Sequence, residues 1–118
     1  MQDVKDLLIN TIRKQFDYPI LLQGSLDNSD RYPDDFFTFW NNETVDVSFY
    51  DNEEKSTIWD FDLNYYSISP KRTNEVLLTC KRLLKNEGFI VSGAGYDVMS
   101  DEPTHTGRGI NVMFVDKY

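Results

Sequence analysis

Thr57-Ile58-Trp59-Asp60-Phe61-Asp62-Leu63-Asn64-Tyr65-Tyr66-Ser67 decides the fold, because large apolar side chains alternate in this stretch with acidic and amide side chains. Successive side chains of a β-strand point to opposite faces, so this period of two predicts a half-buried strand. The aromatic and β-branched residues are also types that strands favour. The predicted buried side consists of Trp59, Phe61, Leu63 and Tyr65, and the predicted polar side consists of Asp60, Asp62 and Asn64. We therefore expect a sheet with one covered and one exposed face.

The length and the charge limit the class of protein. At 118 residues the chain fits a single domain, residues 1–118, which buries about two thirds of its unfolded surface. Its 12 basic and 20 acidic residues give a net charge of -8, which repels phosphate backbones and anionic membranes. The basic pairs Lys71-Arg72 and Lys81-Arg82 lie at helical spacing and predict the solvated side of a helix. We expect no specific nucleic-acid binding and no membrane binding.

Two segments show the three-and-four spacing of amphipathic helices. The first, residues 3–16, ends before Tyr18-Pro19, because proline disfavours helical geometry in the residue before it. The second begins at Ser69-Pro70, an N-cap residue followed by proline, and ends at Gly88, which we expect in left-handed geometry. Cys80 lies in the apolar stripe of this helix and is expected to be a small buried hydrophobe.

The remaining apolar runs predict short strands at residues 20–23, 36–40, 89–92 and 110–115, with loops at 24–33 and 100–109. Runs of strands with the helices set apart predict an α+β fold. We expect an antiparallel β-sheet with two α-helices packed on one face.

Residues 41–56 allow two interpretations. Val45, Val47 and Phe49 alternate with polar residues, which is the pattern of a strand. The segment could equally be a long excursion that joins the neighbouring strands, and long excursions are often binding loops. It is therefore the first candidate for contact with a partner.

Two constellations carry groups that catalysis or metal binding uses. Asp60 and Asp62 share one strand face, and paired carboxylates can bind a hard cation, but simple alternation places them there in any case. Residues 97–109 gather Asp101, Glu102, His105 and Arg108, yet they lack the ligand set of a zinc site and a nucleophile with a paired base. We expect a solvated strand face and an interface loop, with no catalytic residue, no metal ion and no cofactor.

Two glycine pairs invite comparison with phosphate-binding motifs. Gly107-Arg108-Gly109 lacks the lysine and hydroxyl residue of a P-loop, and Gly93-Ala94-Gly95 lacks the third glycine of a dinucleotide fingerprint. We expect these glycines to allow positive φ angles at turns.

The aromatic content favours an interaction protein over an enzyme. The chain has 8 Phe, 7 Tyr and 2 Trp residues, more than a two-layer core of this size needs. Aromatic residues are enriched in interfaces, and an exposed aromatic surface on a monomer promotes aggregation. We expect some of these side chains to lie on a surface that association buries.

Four segments resemble small structural proteins of long-tailed bacteriophages of Gram-positive hosts, which are encoded among the head-tail joining genes. These segments are Phe-Phe-Thr-Phe-Trp-Asn-Asn at 36–42, Ser-Phe-Tyr-Asp-Asn at 48–52, Trp-Asp-Phe-Asp-Leu-Asn at 59–64 and Ser-Asp-Glu-Pro-Thr-His-Thr-Gly-Arg-Gly at 100–109. The order of elements across nearly the whole chain is similar to the tail-terminator or tail-completion fold.

The resemblance implies a hexameric ring in the virion, at the neck of the tail, assembled in the host cytoplasm. Such a ring caps the tail tube, stops its polymerisation and joins the tail to the head connector. The implied partners are other copies of the chain, the major tail protein and the head connector or neck proteins. An acidic lining would let DNA pass without holding its phosphates, and the net charge of -8 is compatible with that.

The residues that we expect to contact partners are Asp51, Asn52, Glu53, Glu54, Asp101, Glu102, His105 and Arg108. Two other functions are open at this point. A small acidic inhibitor or DNA mimic would act as a monomer against a basic nucleic-acid enzyme. A small hydrolase would use Asp101, Glu102 and His105.

Overall fold

The computed structural model describes residues 3–22, 33–48, 55–100 and 103–117. Within these residues lie two helices and six strands. In chain order they are α1 (Val4–Arg13), β1 (Ile20–Leu22), β2 (Asp35–Ser48), β3 (Lys55–Ser67), α2 (Pro70–Asn86), β4 (Ile90–Val91), β5 (Tyr96–Val98) and β6 (Thr106–Lys117).

The six strands form one sheet in the order β1-β2-β3-β6-β4, with β5 also paired to β6. The predicted α+β class is confirmed. The sheet is mixed, however, since β1 runs parallel to β2 and every other described pair is antiparallel. Residues 23–34 separate β1 from β2, and a parallel pair needs a connection of about a dozen residues. The prediction of a purely antiparallel sheet is wrong for this one pair.

The predicted strand at 57–67 is β3, and it lies at the centre of the sheet. It pairs with β2 on one side and with β6 on the other, so that Phe37 lies opposite Tyr65 and Val112 lies opposite Phe61. Phe61, Leu63 and Tyr65 are fully buried, as the alternation predicts, whereas Trp59 is half-buried. The polar side carries Asp60, Asp62 and Asn64.

Both helices pack against the apolar face of β3 and its neighbours, which we call the covered face. The core residues that the helices contribute are Val4, Leu8 and Ile12 from α1 and Val76, Leu77, Cys80 and Leu84 from α2. Cys80 is buried as expected, and burial raises its pKa to about 12. Removing such side chains from water is the main source of stability in a domain of this size.

The ends of the helices follow local signals. The Asp3 carboxylate caps α1 by accepting from the backbone N–H groups of Lys5 and Asp6, at 3.0 and 3.4 Å. This helix ends at Arg13, three residues before the predicted end at residue 16. The chain then closes with a turn in which the backbone N–H groups of Gln15 and Phe16 both donate to Ile12 O. Pro70 begins α2, and Gly88 follows it with a φ of 98°, in the left-handed region that was predicted.

Over its described part the segment 41–56 is β-strand, as the alternation predicts, but its residues extend β2 and β3 and do not form a separate strand there. β2 runs unbroken to Ser48 and β3 begins at Lys55, with an irregular register between Asn41 and Glu43. At about 3.4 Å per residue these long strands span roughly 45 Å, whereas α2 spans about 25 Å. The radius of gyration is 15.4 Å, compared with about 13.5 Å for a compact chain of this length. The sheet is therefore longer than the helices that cover it.

Candidate interaction surface on the uncovered face of the sheet

The side chains that alternate with the core residues form the other side of the sheet, which we call the uncovered face. The register places Trp40 opposite Asp62 and Asn64 opposite Gly109, while Tyr96 of β5 lies opposite the same glycine. The residues of this face are Phe36, Thr38, Trp40, Asp60, Asp62, Asn64, Tyr66, Tyr96, Val98, Gly107, Gly109, Asn111 and Met113. Neither helix contributes a core residue to it, since the helix core residues cluster with the covered face.

An open groove of about 300 Å³ lies on the uncovered face. It is lined by Trp40, Asp62, Asn64, Tyr96 and Val98. Trp40 is 49% exposed and Tyr96 is 43% exposed, whereas Asn64 on the floor is only 6% exposed. The groove therefore combines two accessible aromatic rings with a polar floor, which is a composition that interfaces favour.

The two aspartates of the face are held by neutral hydrogen-bond donors. Asn111 Nδ2 donates to Asp60 Oδ1 at 2.7 Å and lies 3.3 Å from Asp62 Oδ1. Asn42 Nδ2 donates to Asp60 Oδ1 at 3.4 Å, and Tyr96 Oη donates to Asp62 Oδ1 at 3.3 Å. The ion pairs among the described residues join other side chains, so neither carboxylate is neutralised by a cation there. The face thus carries two negative charges that amides and a phenol orient but do not balance.

The phenol of Tyr96 responds to this charge. Burial raises the pKa of Tyr96, and the charge of Asp62, its hydrogen bond to the phenol and the charge of Asp60 raise it further. A negative charge on the ring would add to two that are already present. The groove therefore favours a cation over an anion.

Two glycines of β6 make room for the groove. A Cβ at Gly109 would lie 2.3 Å from Asn64 Oδ1 and 3.0 Å from the Tyr96 ring, and one at Gly107 would lie 2.6 Å from the Tyr66 ring. Both glycines therefore belong to a strand over which other side chains pack closely. The predicted loop is wrong for residues 106–109, which lie in β6, and so is the predicted turn geometry of this glycine pair. The sequence feature that could have predicted this strand is the pair of glycines at alternate positions, 107 and 109, directly before the apolar run at 110–115. Glycine within a strand often marks a place where another group packs closely over the backbone. Gly95, in contrast, has the expected positive φ, at 99°.

Six of the eight predicted contact residues lie outside the described residues. They are Asp51, Asn52, Glu53, Glu54, Asp101 and Glu102. Their role in contacts with partners stays a prediction, and so does that of His105 and Arg108, which the structure does describe.

His105 holds the segment before β6 against the start of β2. Its Nε2 lies 2.7 Å from Pro33 O, and its Nδ1 lies 2.9 Å from Thr104 Oγ1. A carbonyl can only accept, so Nε2 carries a proton and, in the neutral ring, Nδ1 accepts from the hydroxyl. The ring also meets the edge of Phe36, with centroids 5.7 Å apart. His105 therefore packs at the end of the uncovered face, outside the groove.

Arg108 lies between the two glycines and therefore points to the opposite side of β6 from the groove. Its Nη1 donates to Asp97 Oδ1 at 2.8 Å, and its Nη2 donates to the carbonyls of Ala94 and Gly95 at 3.3 and 3.2 Å. These bonds tie the segment leading into β5 to β6. Arg108 thus positions the strand that carries Tyr96.

The hydrolase hypothesis rests on Asp101, Glu102 and His105. No three His, Cys, Asp or Glu side chains among them are grouped so that they could hold a metal ion. Both nitrogens of His105 already have hydrogen-bond partners, and the other two residues of the hydrolase hypothesis lie outside the described ranges. In the part of the chain that the structure describes, no helix is long and apolar enough to cross a membrane.

What the groove can do follows from its chemistry. An Arg or Lys side chain would find a carboxylate for its charge and two aromatic rings for cation–π contact. The amide floor supplies further hydrogen-bond acceptors and donors.

No protein-family model matches this chain, and no curated protein matches its sequence.

Proposed function

We propose that the chain is a structural subunit of the neck of a long-tailed phage, a tail terminator or head-tail joining protein that acts by assembly. In this proposal, copies form a ring, of six subunits by the resemblance, that caps the tail tube and binds the head connector. Its action requires surface complementarity and no chemical step. The proposal rests on the four segments that resemble this family and on the uncovered face.

The uncovered face is the observation that carries the proposal. Trp40 and Tyr96 together leave large aromatic surfaces accessible around a charged groove. A monomer that left a large aromatic patch exposed would risk aggregation. A subunit that buries the face against a neighbour gains the contact energy that aromatic side chains supply in interfaces.

The elongated sheet supports the same proposal. The molecule measures 54 × 28 × 23 Å, and its longest strands extend beyond the helices. Long uncovered strands offer a large contact area from a small chain, and stable interfaces bury about 800 Å² per partner. A ring subunit needs such an area on two sides.

Deletion of the gene in the phage that carries it tests the proposal. We expect electron microscopy of the lysate to show filled heads without tails and tails of irregular length. Expression of the wild-type chain in trans should restore joined particles. Native mass spectrometry should find an oligomer of one defined size, whose mass is an integer multiple of the 13.8 kDa subunit mass. Normal joined tails in the deletion mutant would refute the proposal.

The acidic inhibitor or DNA mimic is the second candidate, and the net charge of -8 is its support. A DNA mimic should present carboxylates in a regular row, whereas Asp60 and Asp62 share their face with Asn64 and Asn111. The inhibitor would be a stable monomer that captures a basic nucleic-acid enzyme, and its loss would leave tails normal. The deletion experiment therefore separates the two candidates.

A further inference from the structure

The outer side of α2 carries a basic stripe. Its members are exposed and recur at spacings of three and four, which places them on one side of the helix. They are Lys71, Glu75, Leu78, Arg82 and Lys85. The stripe is about 21 Å long and contains three cations, one anion and an apolar side chain that is 39% exposed. We call this set the α2 stripe.

The cations of the α2 stripe form no ion pair with another described residue. Arg82 makes one weak hydrogen bond, to Thr79 Oγ1 at 3.4 Å, and within the described ranges neither Lys71 nor Lys85 forms an ion pair. Other basic side chains of the fold are engaged, since Arg72 pairs with Asp35 and Arg108 with Asp97. Lys5 and Arg13 of α1 also lack an ion pair within the described ranges, but the α2 stripe places three such cations along one side of a single helix.

The α2 stripe and the groove lie on opposite sides of the molecule. The inner side of α2, with Val76, Leu77 and Cys80, packs on the covered face of the sheet, so the stripe points away from the sheet. Asp60 and Asp62 lie beyond the sheet, on its other side. Each subunit therefore presents an acidic aromatic surface in one direction and a basic surface in the other.

We propose that the groove on one copy of the chain receives the α2 stripe of the next copy, with Arg82 entering beside Asp62. This inference rests on the proposed function and names the contact that builds the ring. A guanidinium suits the site because it binds carboxylates through two parallel hydrogen bonds and stacks on aromatic rings. Leu78, one turn before Arg82, packs against the exposed Trp40 ring.

The overall charge argues for this pairing over others. Copies with a net charge of -8 repel one another, and two uncovered faces in contact would oppose their aspartates. A head-to-tail contact uses two different patches per subunit, which is what a ring requires. Local complementarity between opposite charges then selects the correct partner surface.

Paired charge reversals in the gene-deleted phage test the inference. One chain carries Asp60→Lys and Asp62→Lys, and the other carries Arg82→Glu and Lys85→Glu. We expect either chain alone to lower the plaque titre by more than about a hundredfold, because it brings like charges together at every contact. Expressed together, the two chains can alternate around an even-membered ring with every contact complementary, so we expect the titre to recover.

The control chain carries Lys5→Glu and Arg13→Glu on α1, an equal change of charge at residues that belong to neither the groove nor the α2 stripe, and should complement like the wild type. Circular dichroism of each purified chain checks folding, and the two α2 substitutions are at exposed helix positions. If the wild-type gene is needed but both reversed chains complement singly, the inference is wrong and the proposed function stands. Failure of the mixture to recover would also overturn the inference. Native mass spectrometry that finds open filaments with the same charge dependence would support the contact and contradict the ring.

Discussion

The two faces of one sheet are built from the same strands, and they differ in what they leave accessible. Phe37, Phe61 and Tyr65 on the covered face are fully buried beneath the helices, while Trp40 and Tyr96 on the uncovered face are almost half exposed. Both faces are rich in aromatic residues, so composition alone does not distinguish them. The difference teaches that alternate residues of a strand can serve separate purposes, one set to fold the chain and the other to meet a partner.

Two tyrosines show the contrast at single residues. Tyr65 is buried, and its hydroxyl donates to Asp35 Oδ1 at 2.5 Å, where Ser67 Oγ also donates, at 2.7 Å. Tyr96 donates to Asp62 at 3.3 Å from an exposed position. The first bond belongs to a closed cluster within the fold. The second leaves its carboxylate open to a further contact.

Truncation of one aromatic side chain on each face should break the comparison most strongly. We expect Phe61→Ala to lower the free energy of unfolding by about 3–5 kcal/mol, because it leaves a cavity in the core. Trp40→Ala, on the uncovered face, should lower it by less than about 1 kcal/mol. Urea unfolding measures both. Equal losses would mean that both faces contribute to the fold in the same way.

Alkaline pH should destabilise the covered side. Burial, and then the bond to Asp35, raises the pKa of Tyr65 above its ordinary value of 10.0, and burial raises that of Cys80 from 9.0 to about 12. Groups with a raised folded pKa stabilise fully below the unfolded pKa and lose that contribution as pH rises. We expect the unfolding free energy to fall from about pH 9 because of Cys80 and from about pH 10 because of Tyr65, by up to about 1.4 kcal/mol per pH unit for each group. Cys80→Ala should flatten the slope between pH 9 and 10, and an unchanged slope would contradict this cause.

A methyl group at Gly109 should disturb the packing of the side chains on the uncovered face. The new Cβ would overlap Asn64 Oδ1 and press on the Tyr96 ring, so Gly109→Ala should cost about 1–3 kcal/mol of stability. Ser92→Ala, at an exposed position, is the control and should change stability by less than about 0.5 kcal/mol. Thermal unfolding compares the two. A neutral Gly109→Ala would show that the groove does not depend on close packing over β6.

Removal of one charge from the groove should have the smallest effect on stability of the changes considered. It sharpens the comparison of the two faces because it tests the negative potential of the uncovered face alone. Asp62→Asn keeps an oxygen that accepts from Tyr96 but removes the negative charge, so the pKa of Tyr96 should fall towards 10.0. Asp17→Asn, an exposed position outside the groove, should leave it unchanged. An NMR titration of the Tyr96 Cζ resonance measures the shift. A constant pKa in Asp62→Asn would contradict the negative potential assigned to the groove.

The sequence predicted the layers of the fold because alternation and helical spacing are local patterns. The buried side of β3 and the inner side of α2 were both found from spacing, and Gly88 was found from its place after an apolar stripe. Asn64 was assigned correctly to the polar side of β3, but it is only 6% exposed. Side chains of neighbouring strands, such as Trp40 and Tyr96, surround it in the groove. Alternation gives the face of a residue and does not give what lies over it.

The groove could not be predicted, because it depends on strand register. Trp40, Asp62 and Tyr96 are far apart in the sequence and meet only because β2, β3, β6 and β5 lie side by side. Gly107 and Gly109 suggested a loop, since the packing that needs them comes from β3 and β5. The parallel β1 was missed for the same reason, as the direction of a short strand is set by its partner.

Hydroxyl-radical footprinting followed by mass spectrometry tests most directly whether the uncovered face is an assembly surface. The free subunit and purified joined particles are oxidised side by side, and the modification of Trp40 and Tyr96 is compared. We predict that both side chains react in the free subunit and are strongly protected in the particles, while the buried Phe61 reacts in neither. Equal modification of Trp40 and Tyr96 in the two samples would contradict an assembly role for this face.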